Sequence, residues 1–283
     1  MKKLLGNILK IGIPLAFGIY VIWVQYNMLT PVELEEIENS FRNANYFWVG
    51  FALIFGTLSH VSRAYRWRYT MEPLGMKAGF VNSFLAVMIG YVANIAFPRL
   101  GEVARCTAIT KYEKQPFEKL FGTVVAERVA DLIILLSIIT LVILLQLDLL
   151  GSHISEMLAD KEDPTGTLVI LAIVGVVGLI GLFAFLRLIK RSEHPVVQKI
   201  RGLIMGFWDG IMSIIRMKKK WAFIFHTLFI WLMYLIMFYI PFWALPETQN
   251  VPLAGVLAGF VVGGLSIVLV QGGIGVYPLA VSQ

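Results

Sequence analysis

The chain reads as an all-α polytopic membrane bundle, a single domain over residues 1–283 with about six spanning helices and two re-entrant or broken segments. Three observations predict this. The chain is 58% hydrophobic and only 15% charged, with mean hydropathy +0.77, whereas soluble domains carry roughly 25% charged residues. Its apolar residues gather into runs of about membrane-crossing length. Its basic residues gather between those runs, as the positive-inside rule expects of a multi-pass protein.

Six runs have the length to cross: 8–26, 46–62, 122–147, 167–189, 221–243 and 251–270. The first follows Lys2 and Lys3 like a signal peptide but lacks a small-x-small cleavage site, so it is expected to be a retained span. A seventh run, 78–97, contains Asn82, Ser83, Gly90 and Asn94. Basic counts in the N-terminus and the segments 28–45, 63–77, 99–119, 148–166 and 187–220 are 3, 1, 4, 5, 1 and 9. If 78–97 crossed fully, 99–119 and 187–220 would lie opposite 63–77. If it enters and returns, every strongly basic segment is cytoplasmic. Residues 78–97 are therefore read as re-entrant, and the protein as an inner-membrane protein with a cytoplasmic N-terminus.

Irregular backbone at membrane depth needs protein or a water-filled cavity around it. Pro98 lacks an N–H and disfavours helix just before it, and Gly101 permits backbone that other residues resist. Near the C-terminus Gly272, Gly273, Gly275 and Pro278 interrupt another apolar stretch. Two broken segments in two halves of a membrane protein point to a transport site, although no sequence repeat is evident.

Between the spans, Thr30-Pro31-Val32-Glu33 carries a capping-box pattern with proline at the first helical position. A short helix over 31–42 is expected on the outer surface. Residues 199–217 have apolar positions at helical spacing with Arg201, Asp209 and Arg216 interspersed, the pattern of an interfacial cytoplasmic helix. Gly255, Gly259 and Gly263 recur every four residues and predict a close helix-packing face.

Charged residues carry the candidate chemistry. Arg99, Glu102 and Arg105 are spaced by three and would share a helix face in a segment leaving the membrane. Glu127 and Asp131 are four apart, with Arg128 beside them. The apolar run 132–147 has 16 residues, roughly 24 Å against a hydrocarbon core of about 30 Å, so its span must draw Asp131 and Arg128 inward. Two readings stand. Arg99 and Arg105 neutralise Glu127 and Asp131 as a structural network, or surplus guanidinium groups hold a phosphate through their planar fork. Arg63, Arg66 and Arg68 alternate with Tyr65, Trp67 and Tyr69, either as an anchor belt at headgroup level or as headgroup capture at a cavity mouth. His60 is expected to be a hydrogen-bonded packing residue. His153, His194 and His226 are scattered, with no metal-ligand spacing, P-loop, G-x-S-x-G or dinucleotide fingerprint. No metal, cofactor or nucleic acid is expected. The single Cys106 allows no internal disulfide.

The run GYVANIAFPRLGEVAR followed by VAERVADL, together with Arg63-Ala-Tyr-Arg66-Trp67 and the late Gly-Gly-Ile-Gly, resembles the lysylphosphatidylglycerol synthase transmembrane-domain family of flippase-like integral membrane proteins. The resemblance spans most of the chain. Its element Asn94, Pro98, Gly101, Glu102 is fairly specific, and Arg99, Glu102, Glu127, Arg128 and Asp131 fall on its motifs. It implies a helical bundle with re-entrant segments that moves aminoacylated phospholipid, polyprenyl-phosphate sugars or hopanoids. An acidic residue expected near Tyr277-Pro278 is missing, and no aminoacyl-transferase domain is present, so lipid synthesis is not expected. The chain stops at Gln283, just after a broken segment, and is expected to be part of a longer polypeptide.

The expected function is binding, and translocation between leaflets, of an anionic or zwitterionic membrane lipid with a phosphate headgroup, without catalysis. Arg99, Arg105, Arg128, Arg63 and Arg66 would meet the phosphate, and Glu102, Glu127 and Asp131 would pair them or hold a headgroup amine. The alternative is an enzyme or subunit of lipid-linked glycosylation or polyprenyl-phosphate metabolism. The sequence does not distinguish a pure scaffold role for the charges.

Overall fold

A computed structural model describes residues 2–96, 100–145, 211–269 and 274–282, with the single positions 198 and 202. Nine helices longer than a turn or two carry the described chain: α1 (Lys2–Met28), α2 (Pro31–Asn43), α3 (Tyr46–Met71), α4 (Phe80–Ala96), α5 (Leu100–Glu113), α6 (Phe117–Leu145), α7 (Lys220–Tyr239), α8 (Leu253–Leu269) and α9 (Val276–Ser282). No strand occurs among the described residues.

Local chemistry sets the boundaries. The capping box forms as the sequence requires: Thr30 N donates to Glu33 Oε2 at 2.7 Å and Glu33 N to Thr30 Oγ1 at 3.3 Å. Asn45 caps α3 by accepting from Phe47 N at 3.1 Å. Gly75, at φ 74°, turns the chain after α3. Beyond α7 the chain tightens into a 3₁₀ segment, Ile240–Ala244, containing Pro241.

Among the described residues two helices combine the length and apolarity needed to cross a membrane, Phe117–Leu145 and Lys220–Ala244. At 29 residues, α6 runs about 43 Å. Only 22% and 28% of their apolar windows are buried, so most of each apolar surface faces outward, as lipid contact requires and water contact penalises. The expected count of six spans is not reached among the described residues. Residues 167–189 lie outside them. The 17 residues of α8 reach only about 26 Å, and the second half of α3 carries Arg63, Arg66 and Arg68.

Helices α4, α6 and α7 run antiparallel to α3. Along α3 and α7, Asn45 N bonds Ala244 O at 2.8 Å at one end, Ser62 Oγ meets His226 Nδ1 at 2.8 Å midway, and Glu72 meets Lys219 at 3.0 Å at the other end. The helices α4 and α5 form a hairpin. Its base is tied by Glu113 Oε1, which accepts from Gly79 N at 2.8 Å and Asn82 Nδ2 at 2.7 Å. Toward its tip Gly90 and Gly101 meet backbone to backbone: a Cβ added at Gly90 would lie 3.0 Å from Gly101 O. Helix α4 is therefore followed by a helix coming back along it, and parts of 63–77, 99–119 and 187–220 meet at one end of the bundle.

Residues 100–113, counted in the sequence within the basic segment 99–119, form the returning arm of the hairpin, with Arg105, Cys106 and Ile109 buried. The reason is the apolar cluster of Trp67, Met71, Val87, Cys106, Ile109 and Leu120, which joins α3, α4, α5 and α6. The glycine stripe of α8 is only partly a packing face. Gly259 sits against Phe238 and Gly263 against Tyr277 and Val281, whereas Gly255 meets only Val251 and Pro252 beside it. Of 199–217, only 202 and 211–217 are described; Ile214 and Met217 pack with Ala130 and Phe223. All of α2 stays unburied.

Candidate functional site

Where α3, α5 and α6 cross, four arginines meet three carboxylates. On α6, Glu127 and Asp131 point inward and are buried. From α3, Arg66 grips Asp131 through two bonds, Nη1 to Oδ1 at 2.6 Å and Nη2 to Oδ2 at 3.2 Å. One turn away, Arg63 reaches Asp131 Oδ2 at 3.4 Å. From α5, Arg105 donates to Glu127 Oε2 at 2.6 Å. Arg66 Nε lies 3.7 Å from Glu127 Oε1, which links the two pairs. On the open side, Arg128 donates to Glu102 at 2.5 Å and keeps 49% of its side chain exposed.

Neutral groups complete the cluster. Arg105 lies over the Trp67 ring at 4.5 Å, a cation–π contact, and Trp67 Nε1 donates to Thr123 Oγ1 at 2.8 Å. Thr227 accepts from Arg66 at 3.2 Å. Arg63 Nη2 donates to Tyr234 Oη at 3.0 Å, and Tyr234 meets Tyr91 Oη at 2.9 Å. The hairpin is thereby tied to α7 through two phenols.

The motif Asn94, Gly101, Glu102 acquires a physical meaning here. Asn94 Oδ1 accepts from Gly101 N at 2.7 Å and so satisfies one of the N–H groups that open α5. Gly101 is helical rather than broken, and its lack of a side chain admits the backbone of Gly90. Glu102 then faces Arg128 instead of Arg105. Pro98 and Arg99, between α4 and α5 in the chain, and Gly272 and Gly273 lie outside the described residues. Gly275 is a true break: its φ is 73°, and any Cβ there would strike Gly18 O of α1.

Three sequence readings change. Arg63 and Arg66 are not a headgroup belt. They are buried together with Trp67, because the face of α3 that carries them turns toward α6, while Arg68 stays exposed. Asp131 is neutralised by Arg66 and Arg63 rather than by Arg105. His60 packs its ring on Tyr91 at 4.3 Å, with Nδ1 buried and without a hydrogen-bond partner. Tyr234 and Tyr91 escaped the sequence reading, although a tyrosine deep in an apolar span signals a hydroxyl that needs a partner.

Charge and space define what the cluster can do. Arg63, Arg66, Arg105 and Arg128 against Glu102, Glu127 and Asp131 leave one formal positive charge in excess among the described residues. Arg63 Nε, Arg105 Nε and Glu102 Oε2 are buried without hydrogen-bond partners. The cavity between Arg63, Tyr91, Asn94, Glu102, Arg105 and Arg128 measures about 20 Å³, room for about one water.

A family profile for the lysylphosphatidylglycerol synthase TM region matches residues 9–283. The chain belongs to this family. Among curated sequences, a UPF0104 membrane protein of Methanocaldococcus jannaschii is 34% identical over 112 residues, 38% of this chain and 33% of the archaeal protein. The match thus spans about a third of that relative's length. No solved structure matches. Membership of the lysylphosphatidylglycerol synthase TM-region family agrees with the outward apolar surfaces of α6 and α7, and the buried charge network occupies the motif segments read from the sequence.

Proposed function

We propose that this protein binds an anionic or zwitterionic lipid through its phosphate and carries it between leaflets, without catalysing a covalent step. The observation that carries the reading is the surplus guanidinium charge of the α3–α5–α6 network, held at mid-bundle beside a hairpin. Glu127 lies ten residues into α6, about 15 Å along its axis. Ionisable residues at such depth tend to mark substrate paths. The carboxylates keep the arginines compensated at rest. A phosphate takes over from Glu102 on Arg128 as the hairpin shifts, and Arg99, adjacent in the chain, adds a second cation. Bidentate phosphate binding is chemistry to which arginine is suited and lysine is not.

In this reading α4 and α5 enter and leave the membrane from the cytoplasmic side of an inner membrane, with the N-terminus on that side too. The basic segments meeting at one end of the bundle support it. The test is transfer of a fluorescent phosphatidylglycerol between leaflets of reconstituted vesicles. Arg128→Lys and Arg99→Lys are expected to lower transfer at least tenfold with the melting temperature unchanged. Wild-type transfer in both variants would reduce the network to a scaffold.

A further inference from the structure

At the end of the bundle where three basic segments meet, a cleft of about 430 Å³ opens between the end of α3, the turn into α4, the end of α5 and the start of α7. It shares no lining residue with the water-sized cavity of the arginine network. Its size falls within the range of small-molecule sites. Met71 and Met76 line it and are both buried. Its walls carry the cations Arg68, Lys77 and Lys219 and the carboxylates Glu72 and Glu113.

Both carboxylates are already engaged. Lys219 Nζ lies 3.0 Å from Glu72 Oε2, and Glu113 Oε1 accepts from Gly79 N and Asn82 Nδ2 at 2.8 and 2.7 Å. Arg68 and Lys77 have no ion-pair partner among the described residues. The turn that presents Lys77 is fixed: Gly75 N bonds Glu72 O at 3.0 Å and Met76 N bonds Met71 O at 3.2 Å. A planar guanidinium and an ammonium, neither ion-paired among the described residues, line the cleft together with the edges of the nearly buried Met71 and Met76. That combination suits an anion esterified to an organic group.

We infer that this cleft binds a phosphate ester, with Arg68 and Lys77 holding the phosphate and Met71 and Met76 packing the organic part. Two sources share that chemistry. One is a phospholipid headgroup, whose chain would have a neighbouring apolar groove of about 590 Å³ along α4 and α5, beginning at Asn82. The other is a soluble phosphate ester. The assignment does not depend on the translocation reading, since no network residue takes part.

The experiment is calorimetric titration of the full chain in detergent with two probes, dioctanoyl-phosphatidylglycerol and glycerol 3-phosphate. The wild type is expected to bind at least one probe, and R68Q/K77Q to bind it at least tenfold more weakly at an unchanged melting temperature. Binding of the lipid alone identifies the headgroup source; equal binding of both probes identifies the soluble ester. Under the translocation reading the lipid probe can also engage Arg128. Each titration is therefore repeated in an R128Q background, where the remaining binding reports the cleft alone and is expected to be lost on adding R68Q/K77Q. Failure of the translocation reading thus stays separable. A measurement on the unaltered protein runs beside it: saturating probe should shield Lys77 from acetylation but not Lys111. Failure of the wild type to bind either probe, equal binding by wild type and R68Q/K77Q, or an unshielded Lys77 would each overturn the proposal.

Discussion

Asp131 accepts from two arginines and stands within 3.8 Å of a third, Arg128. Removing its charge leaves the fully buried Arg66 with only its longer contact to Glu127, at 3.7 Å. Asp131→Asn is therefore expected to cost about 3–5 kcal/mol, read as a lower midpoint of denaturant unfolding in micelles. A double-mutant cycle should give a large coupling for Arg66 with Asp131 and a smaller one for Arg105 with Asp131, because only the first two touch; equal couplings would refute the pairing. That arginines of the 99–105 segment meet carboxylates of the 127–131 segment was legible from the charge content of two motif segments; that Arg105 takes Glu127 and not Asp131 was not. Nor was the burial of Arg63 and Arg66. Alternating arginines and aromatics look the same at headgroup level and in a core, and only the rotation of α3 toward α6 decides between them.

Individual helices were largely legible where local chemistry writes them, as in the capping box of α2. The returning arm of the hairpin was hidden because the spacing of Glu102 and Arg105 permits a helix face but does not say against which helix it packs, and α5 also carries Lys111 and Glu113. Two substitutions test the hairpin. Gly101→Ala places a methyl against Gly90 O and the Asn94 side chain, an overpacking expected to cost about 1–3 kcal/mol and visible as a lower folded yield; an unchanged yield would show that the two arms do not pack so closely. At the base, the Asn82 amide and the Gly79 N–H hold the Glu113 carboxyl below the ordinary carboxylate range. A depressed carboxyl contributes stability fully above its unfolded pKa and loses it as the pH falls through the lower folded value. Wild type should thus lose stability on acidification through the carboxylate range more steeply than Glu113→Gln, in melting temperature measured against pH.

For the molecule as a whole, composition sufficed to predict an all-helical membrane protein. It could not supply the pairing of helices, which depends on which faces meet. The arrangement makes a definite topological prediction. With Cys106 replaced by alanine, single cysteines at Lys77 and Lys111 should respond alike to a membrane-impermeant thiol reagent applied to whole cells, both staying unlabelled. Labelling of one and not the other would break the hairpin assignment.

Mechanically, Gly90 and Gly101 act as a detent. The flanking positions, Ile89, Tyr91, Leu100 and Glu102, all carry side chains, so slipping either arm by one residue drives a Cβ into the facing carbonyl. With the register locked there and the base pinned at Glu113, shear between α4 and α5 is blocked. Any displacement of Glu102 and Arg105 must then come from tilting both arms together about their common base.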